Sequence, residues 1–338
     1  MAVNSEFSWV DAVGFQHEVM HTGVLAELLR EGGETACTVA GKCLGAPVAR
    51  VHADTVKLES RAGRRRIADL VVDVELEDGE RVRLAVETKV DSSWSVDQLQ
   101  GTLDSRDGDR GCLLAVGLSG IAVSQKDLDG VDELEHGWRL IDARGWADLL
   151  RLPVERSDSP ALAEYHQRVE REAKTHESAR EAARAGLPLP DEPKRRNGVA
   201  LLHWAFFAEV LGGLPDAGYW HRSALISGPL LTRWGWFASD PAENAGVYLE
   251  LMGHHDGRRT LNVKTWATRR LAELQAALDE ALAAVLGSPG HRVGSGSKRR
   301  TVARVPLPSD PSSAAQLVLE WQGHLDVKAK ESLRRVFS

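Results

Sequence analysis

Two stretches in the first third of the chain alternate apolar and polar residues with a period of two. In the first, Ala68, Leu70, Val72, Val74 and Leu76 fall on one side, and Ile67, Asp69, Val71, Asp73 and Glu75 on the other. In the second, Val82, Leu84, Val86, Thr88 and Val90 share a side, which leaves Arg83, Ala85, Glu87, Lys89 and Asp91 opposite. That period is the mark of β-strands, here Arg64–Leu76 and Glu80–Val90, joined at Glu77-Asp78-Gly79. The turn selects the register. A two-residue Asp78-Gly79 turn would set Leu70 beside Glu87. A three-residue loop with Gly79 in the left-handed conformation pairs Leu70 with Val86, Val72 with Leu84 and Val74 with Val82, so the apolar sides agree.

Elsewhere the period is helical or broken. Phe15, Val19, Val24, Leu25, Leu28 and Leu29 predict a helix over 11–31, stopped by Gly32-Gly33. A helix is expected at Val96–Leu103, a buried strand at Cys112–Leu118, a short one at Trp138–Ile141, and a helix at Ala143–Leu150. The order α-β-β-α-β-β-α makes residues 1–150 an α/β domain. Residues 160–185 read as a long polar helix and 186–198 as a Pro-rich charged linker, together a connector over 151–198. From Val199 an apolar helix precedes strand-like runs at Ala224–Phe237, Gly246–Met252 and Thr260–Thr265. A helix Thr268–Leu286, a strand Thr301–Val305 and a last helix then give an α+β unit over 199–338.

The length of 338 residues suits two domains. No run of eighteen apolar residues is present and the first sixteen residues lack a signal-peptide pattern, so a membrane partner is not expected. Cys37, Cys43 and Cys112 are too few for a disulfide framework, which fits a cytoplasmic location. The net charge of −7 argues against a polyanionic partner until it is divided. Residues 1–150 hold 16 Lys and Arg against 27 Asp and Glu; residues 151–338 hold 26 against 22. Lys298, Arg299, Arg300 and Arg304 concentrate the excess near the end and are the candidate nucleic-acid contacts. An ordinary solvated basic face explains the same numbers.

The register has a chemical consequence. Asp69 falls opposite Glu87 with both side chains on one face, and Lys89 lies two residues along it. Two carboxylates with Cβ atoms about 5 Å apart repel unless a cation lies between them. Hard oxygen donors of this kind suit Mg²⁺, and a neighbouring lysine can orient water. A solvated cross-strand cluster with Lys89 paired to either acid is the plain alternative.

The motif order then matters. IADLVV carries Asp69, LAVETKV carries Glu87 and Lys89, VDQLQ supplies Gln98, EVMHTGVLAELL supplies Glu18 and His21 ahead of Leu28-Leu29, and WRLIDARGWADLL closes the segment. Residues 11–150 thereby resemble the PD-(D/E)XK nuclease superfamily, whose fold is the restriction-endonuclease-like mixed sheet flanked by helices. The resemblance implies that Asp69, Glu87 and the Thr88 carbonyl hold Mg²⁺, with Mn²⁺ able to substitute. It implies that Lys89 handles the attacking water, that Gln98 positions Lys89 or the substrate backbone, and that Glu18 acts from the outer shell. It also implies in-line hydrolysis of a phosphodiester by metal-activated water, leaving 5′-phosphate and 3′-hydroxyl ends.

His17-Glu18-Val19-Met20-His21 also reads HExxH, in which histidines one helical turn apart hold zinc. Only sixteen residues precede it, too few for the sheet that such proteases place ahead of this helix, and no third histidine follows at the metzincin spacing. His17 is then a surface residue. His254-His255 reads as a solvated turn, and Trp234, Trp236 and Trp266 as either core or base-stacking residues.

The expectation is a metal-dependent nuclease, with DNA as substrate and RNA left open, serving defence against phage or foreign DNA. The C-terminal unit would serve substrate grip or assembly, as a homodimer or with a partner protein. A catalytically silent nucleic-acid-binding or assembly subunit of the same fold is the alternative, and the zinc protease the third reading.

Overall fold

Residues 8–60, 68–92, 94, 98–99, 102–103, 109–123, 125–129, 137–187, 198–215, 221–225, 228–240, 245–254, 256–286 and 299–337 are described by a computed structural model. The chain divides into two units, Met1–Ser178 and Ala179–Ser338. Among the described residues no helix is long and apolar enough to cross a membrane.

The first unit opens with helices α1 (Trp9–Val13), α2 (Glu18–Arg30) and α3 (Gly33–Leu44). An edge strand follows in two pieces, β1 (Val48–Val51) and β2 (Lys57–Ser60), separated by a 3₁₀ turn at Ala53–Thr55. Next come β3 (Ala68–Leu76), β4 (Arg81–Lys89), β5 (Arg110–Ala115), the short helices α4 (Leu118–Ala122) and α5 (Gln125–Asp129), β6 (Trp138–Ile141), α6 (Ala143–Arg156) and α7 (Pro160–Ala185). Both pieces of the edge strand pair antiparallel with β3, β3 pairs antiparallel with β4, and β4, β5 and β6 run parallel. The result is a mixed six-stranded sheet with helices on it, an α/β architecture.

The hairpin takes the register that the alternation requires. Leu70 pairs with Val86, Val72 with Leu84 and Val74 with Val82. Gly79 has φ +88 and donates to the Leu76 carbonyl, while Leu76 N–H donates to Glu80 O. Leu70, Val72, Val74, Val82, Leu84 and Val86 join Leu25, Leu29, Val39, Trp146 and Tyr165 in one core. Burying each of these large aliphatic side chains contributes about 1.5–3 kcal/mol. A one-residue slip would turn the whole set outward, so the register is strongly determined. The other face packs Val71, Ala85 and Leu113 against Trp94, Leu99, Val123, Leu128 and Trp138. Ala68, expected beside Leu70, belongs to this second cluster. Gly111 is paired with Trp138, whose indole fills the space that a Cβ would need.

Several expectations shift. The helix over 11–31 is two helices, because Gly14 adopts φ +100 and the chain turns through Phe15–His17 before α2 begins. The small-residue helix α3 and both short edge strands carried no clear period and were not anticipated. The strand at 112–118 lies at Arg110–Ala115, and Leu118 already starts a helix. Of the helix expected at Val96–Leu103, Gln98, Leu99 and Thr102 are helical; Val96, Asp97, Gln100 and Gly101 lie outside the described residues. Residues 151–178, expected as connector, belong to the first unit: Tyr165, Val169 and Ala173 are fully buried in its core.

The second unit comprises α8 (Gly198–Gly212), β7 (His221–Leu225), β8 (Gly228–Asp240), β9 (Ala245–Gly253), β10 (Arg259–Ala267), α9 (Leu271–Leu286), β11 (Arg299–Pro306) and α10 (Pro311–Phe337). Its five strands form an antiparallel sheet ordered β11-β10-β9-β8-β7. The single run expected at Ala224–Phe237 is thus two strands. Leu249, Leu251 and Val263 of the sheet and Phe206, Phe207, Leu278, Val318 and Leu325 of the helices are buried.

Candidate active site

The register that aligns the apolar faces also builds the polar one. Continued one residue past Leu70–Val86, it sets Asp69 opposite Glu87. There the ladder gives way to side chains, and the Thr88 backbone N–H donates to Asp69 Oδ2 at 2.7 Å. Glu87 Oε1 accepts from Lys89 Nζ at 2.7 Å and also from the Gln98 amide. Lys89 Nζ donates to the Thr88 carbonyl at 3.1 Å and lies 3.8 Å from Glu18 Oε2. Glu18, Asp69, Glu87, Thr88, Lys89 and Gln98, expected from four separate sequence segments, therefore meet in one place.

The electrostatics are unbalanced. Glu87 and Lys89 are buried, at 3% and 6% exposure, and Asp69 is half-buried. Burial pushes the Asp69 carboxyl above its ordinary range, and the N–H of Thr88 and the charge of Lys89 only partly offset it. Glu87 is also raised, first by burial and then by Asp69. For Lys89, burial pulls the ammonium down, but Glu87, Glu18 and Asp69 together carry it above its usual value. Three carboxylates thus face one ammonium. A carboxylate pair kept in such a place asks for a further cation or a proton.

Both candidate carboxylates and the Thr88 carbonyl are hard oxygen donors, the donor type that Mg²⁺ takes. Among the described residues no group of three or more His, Cys, Asp or Glu side chains is arranged to hold a metal ion. The donor set on offer is two carboxylates and one carbonyl, which suits an ion that keeps several waters.

Four residues escaped the sequence reading, Thr22, Ser92, Ser119 and Glu59, as did the part played by the Thr88 hydroxyl. Thr88 occupies the variable position of Glu-X-Lys, yet its hydroxyl is fully buried and lies 2.8 Å from Thr22 Oγ1 on α2. Thr22 is one turn from Glu18 on the same helix face and also bonds the Glu18 carbonyl at 3.0 Å, so this contact fixes α2 against β4. The helical spacing of Glu18 and Thr22 was a usable signal. Ser92 donates to Glu18 Oε1 at 2.5 Å, and its own carbonyl accepts from Ser119 Oγ. Ser92 lies in a bend and Ser119 in the short helix α4, where no period marks them. Glu59 lies on β2 between Leu58 and Ser60, which pair with Leu70 and Ala68, so it sits beside Asp69. Its φ of +46 is unusual for a residue other than glycine, and its charge adds to the upward push on Asp69.

The HExxH pair does not face this cluster together. His21 is fully buried, with Nε2 2.8 Å from the Phe15 carbonyl and Nδ1 2.6 Å from Tyr165 Oη. A carbonyl only accepts, so Nε2 carries the proton, and Nδ1 accepts from Tyr165, which in turn accepts from Trp146 Nε1. Neither ring nitrogen has a lone pair left for zinc. Burial holds the imidazole neutral, its pKa pulled down to about 4. His17 is exposed at the start of α2, and Glu27 is exposed and paired with Arg30. The apolar cavity of about 830 Å³ bordered by Trp9, Val19, Met20, Val24 and Leu162 shares α2 with the acidic cluster but none of its six residues.

In the second unit, Lys298 and His255 lie outside the described residues. Arg299 and Arg300 begin β11, and their side chains lie outside what is described; so do those of Trp234 and Trp236 on β8. Arg304 is exposed and its Nε donates to Asn262 Oδ1 at 3.1 Å. His254, expected in solvent, is part-buried with Nε2 3.0 Å from Thr260 Oγ1. No family model matches the chain, and neither curated proteins nor solved structures give a match.

Proposed function

We propose that the chain is a metal-dependent nuclease of the PD-(D/E)XK type, hydrolysing phosphodiester bonds in DNA from the site at the ends of β3 and β4. The observation that carries this reading is the convergence of Asp69, Glu87, Lys89, Gln98 and Glu18, with three carboxylates set around a single buried ammonium. A structural ion pair needs one acid for one base. The surplus here fits a site meant to receive a cation and then a substrate that carries negative charge.

Asp69, Glu87 and the Thr88 carbonyl would hold Mg²⁺ or Mn²⁺, which when bound supplies positive charge against the phosphodiester and acidifies water at the site. Lys89 presents its ammonium from a stem buried to the head, so its position is fixed by packing as well as by Glu87. It stays protonated at neutral pH and thus acts by orienting water and by countering charge on the phosphate, as a preorganised donor. Gln98 anchors Glu87, and Glu18, held by Ser92, faces Lys89 from the other side. A role in defence against foreign DNA, and grip or assembly by the second unit, complete the proposal.

Plasmid cleavage tests it. Wild type should nick or cut DNA with Mg²⁺ or Mn²⁺, and Asp69→Ala and Lys89→Ala should not. Cutting that survives both substitutions would overturn the site. Binding of DNA by wild type without cutting of any DNA or RNA would point instead to a silent binding subunit.

A further inference from the structure

Arg259 opens β10 and is held from two sides. Its guanidinium carbon lies 4.0 Å from the centroid of the Phe206 ring, and Phe206 is fully buried. Its Nε donates to His203 Nδ1 at 3.0 Å. His203 in turn gives its Nε2 proton to the His254 carbonyl at 2.9 Å, which leaves Nδ1 as a pure acceptor for Arg259. Gly253 makes this possible, since a Cβ there would overlap the His203 ring. The arginine is therefore fixed by an aromatic face, a ring nitrogen and a close backbone approach.

What it lacks is a counter-charge. Neither terminal nitrogen has a hydrogen-bond or ion-pair partner among the described residues. Arg184, Arg258, Lys264, Arg270 and Arg335 of the same unit each face a carboxylate. Arg259 does not; burial alone acts on it and pulls it down to about 10, which still leaves it charged at neutral pH. The nearby His254 ring is held below its usual range by burial and then by Arg304 and Arg258, with Asp256 and Glu250 opposing them in part. Arg259 is only part-buried. A part-desolvated guanidinium with both terminal nitrogens open and pre-oriented matches a tetrahedral oxyanion, which it binds through two parallel N–H bonds.

We propose that Arg259, braced by His203 and Phe206, is the anion-receiving group of a phosphate-binding site in the second unit. The phosphate is borne either by nucleic acid or by a small phosphorylated molecule. The site belongs to the second unit, the carboxylate cluster to the first, and phosphate binding does not depend on cleavage.

The test uses the full chain in EDTA, where any metal-dependent cutting is silent. Inorganic phosphate, a 5′-phosphorylated single-stranded oligonucleotide and the same oligonucleotide without that phosphate are titrated by calorimetry and by thermal shift. Wild type should bind phosphate and rise in Tm with it, and R259Q should bind at least about tenfold more weakly with no shift. K330Q, on the exposed face of α10, should behave as wild type. Oligonucleotide binding that weakens in R259Q identifies nucleic acid as the source; phosphate binding that weakens while oligonucleotide binding does not identifies a small molecule. R259K keeps the charge but not the fork, and should bind several-fold more weakly even if R259Q fails to fold. Wild type indifferent to all three probes, or R259K and a folded R259Q binding them as wild type does, overturns the proposal.

Discussion

Asp69 and Asp73 stand on the same strand with the same parity, two pleat repeats apart, and meet opposite partners. Asp73 is paired across the hairpin with Arg83 and is bonded by it at 2.9 Å and by Arg81 at 3.1 Å. Burial raises its carboxyl, but the two arginines outweigh that and hold it below the usual range. Asp69 meets Glu87, and burial with too little compensation leaves both raised. One strand thus carries a settled ion pair at a laddered position and an unsettled acidic pair just past the end of the ladder. The fold can neutralise a carboxylate on this face, so its failure to do so at Asp69 is a property of that site.

The sharpest way to break this contrast is kinetic. Glu87→Gln and Lys89→Ala should each lower the single-turnover cleavage rate by about 10³-fold, the usual scale for losing a positioned charged group. Asp73→Asn should stay within about twofold. Equal losses at both ends would mean that the hairpin, and not the acidic pair, carries the activity.

Acidification gives the next largest effect. His21 has a folded pKa near 4 against an ordinary value of 6.5, so its contribution is present above pH 6.5 and is lost as pH falls toward 4. That loss approaches about 3 kcal/mol. Asp73, also depressed, loses stability in the same direction at lower pH. Asp69 and Glu87 have raised values, so their contribution runs the other way: protonation relieves them, and stability is regained as pH falls through their folded pKa values. Urea unfolding from pH 7 to pH 4 should show the drop from His21 blunted by the acidic pair, and Asp69→Asn should remove the blunting.

At neutral pH without metal, Asp69→Asn should raise stability by about 1 kcal/mol, because it deletes an ionised group that burial opposes. Mg²⁺ should then raise the Tm of wild type and leave that of Asp69→Asn unchanged. A destabilised Asp69→Asn protein would place Asp69 among the ordinary structural ion pairs. The smallest effect belongs to the other end. Asp73→Ala should cost about 0.5 kcal/mol in urea unfolding, since both arginines are largely exposed, at 60% and 45% of their side-chain area.

Much of this contrast was readable beforehand. Alternation from Leu70 to Leu76 and from Val82 to Val86, with glycine at position 79, fixes which residues face each other, because side-chain direction in a regular strand follows parity; Ala68, at the strand's start, departs from it. The carboxylate pair followed from the same parity. The edge strands did not: Val48–Val51 exposes two of its four residues, and a 3₁₀ turn interrupts the pairing before β2. Helix α3, built largely from small residues, gave no stripe to read. The Thr22–Thr88 hydroxyl pair, the Ser92–Glu18 bond and the bracing of Arg259 by His203 join residues 66, 74 and 56 positions apart, beyond any local period.

The sequence by itself determined the hairpin, its register, and the convergence of Asp69, Glu87 and Lys89 on one face, since hydrophobic burial tolerates only one parity. Only the tertiary structure decided the protonation and pairing of those groups. It closed the site with α2, the bend at Ser92 and helix α4, consumed both nitrogens of His21 in the core, and left Arg259 with no acid partner among the described residues. Those outcomes depend on burial and on partners distant in sequence, and the free energy of a charge is set by its surroundings far more than by its neighbours along the chain.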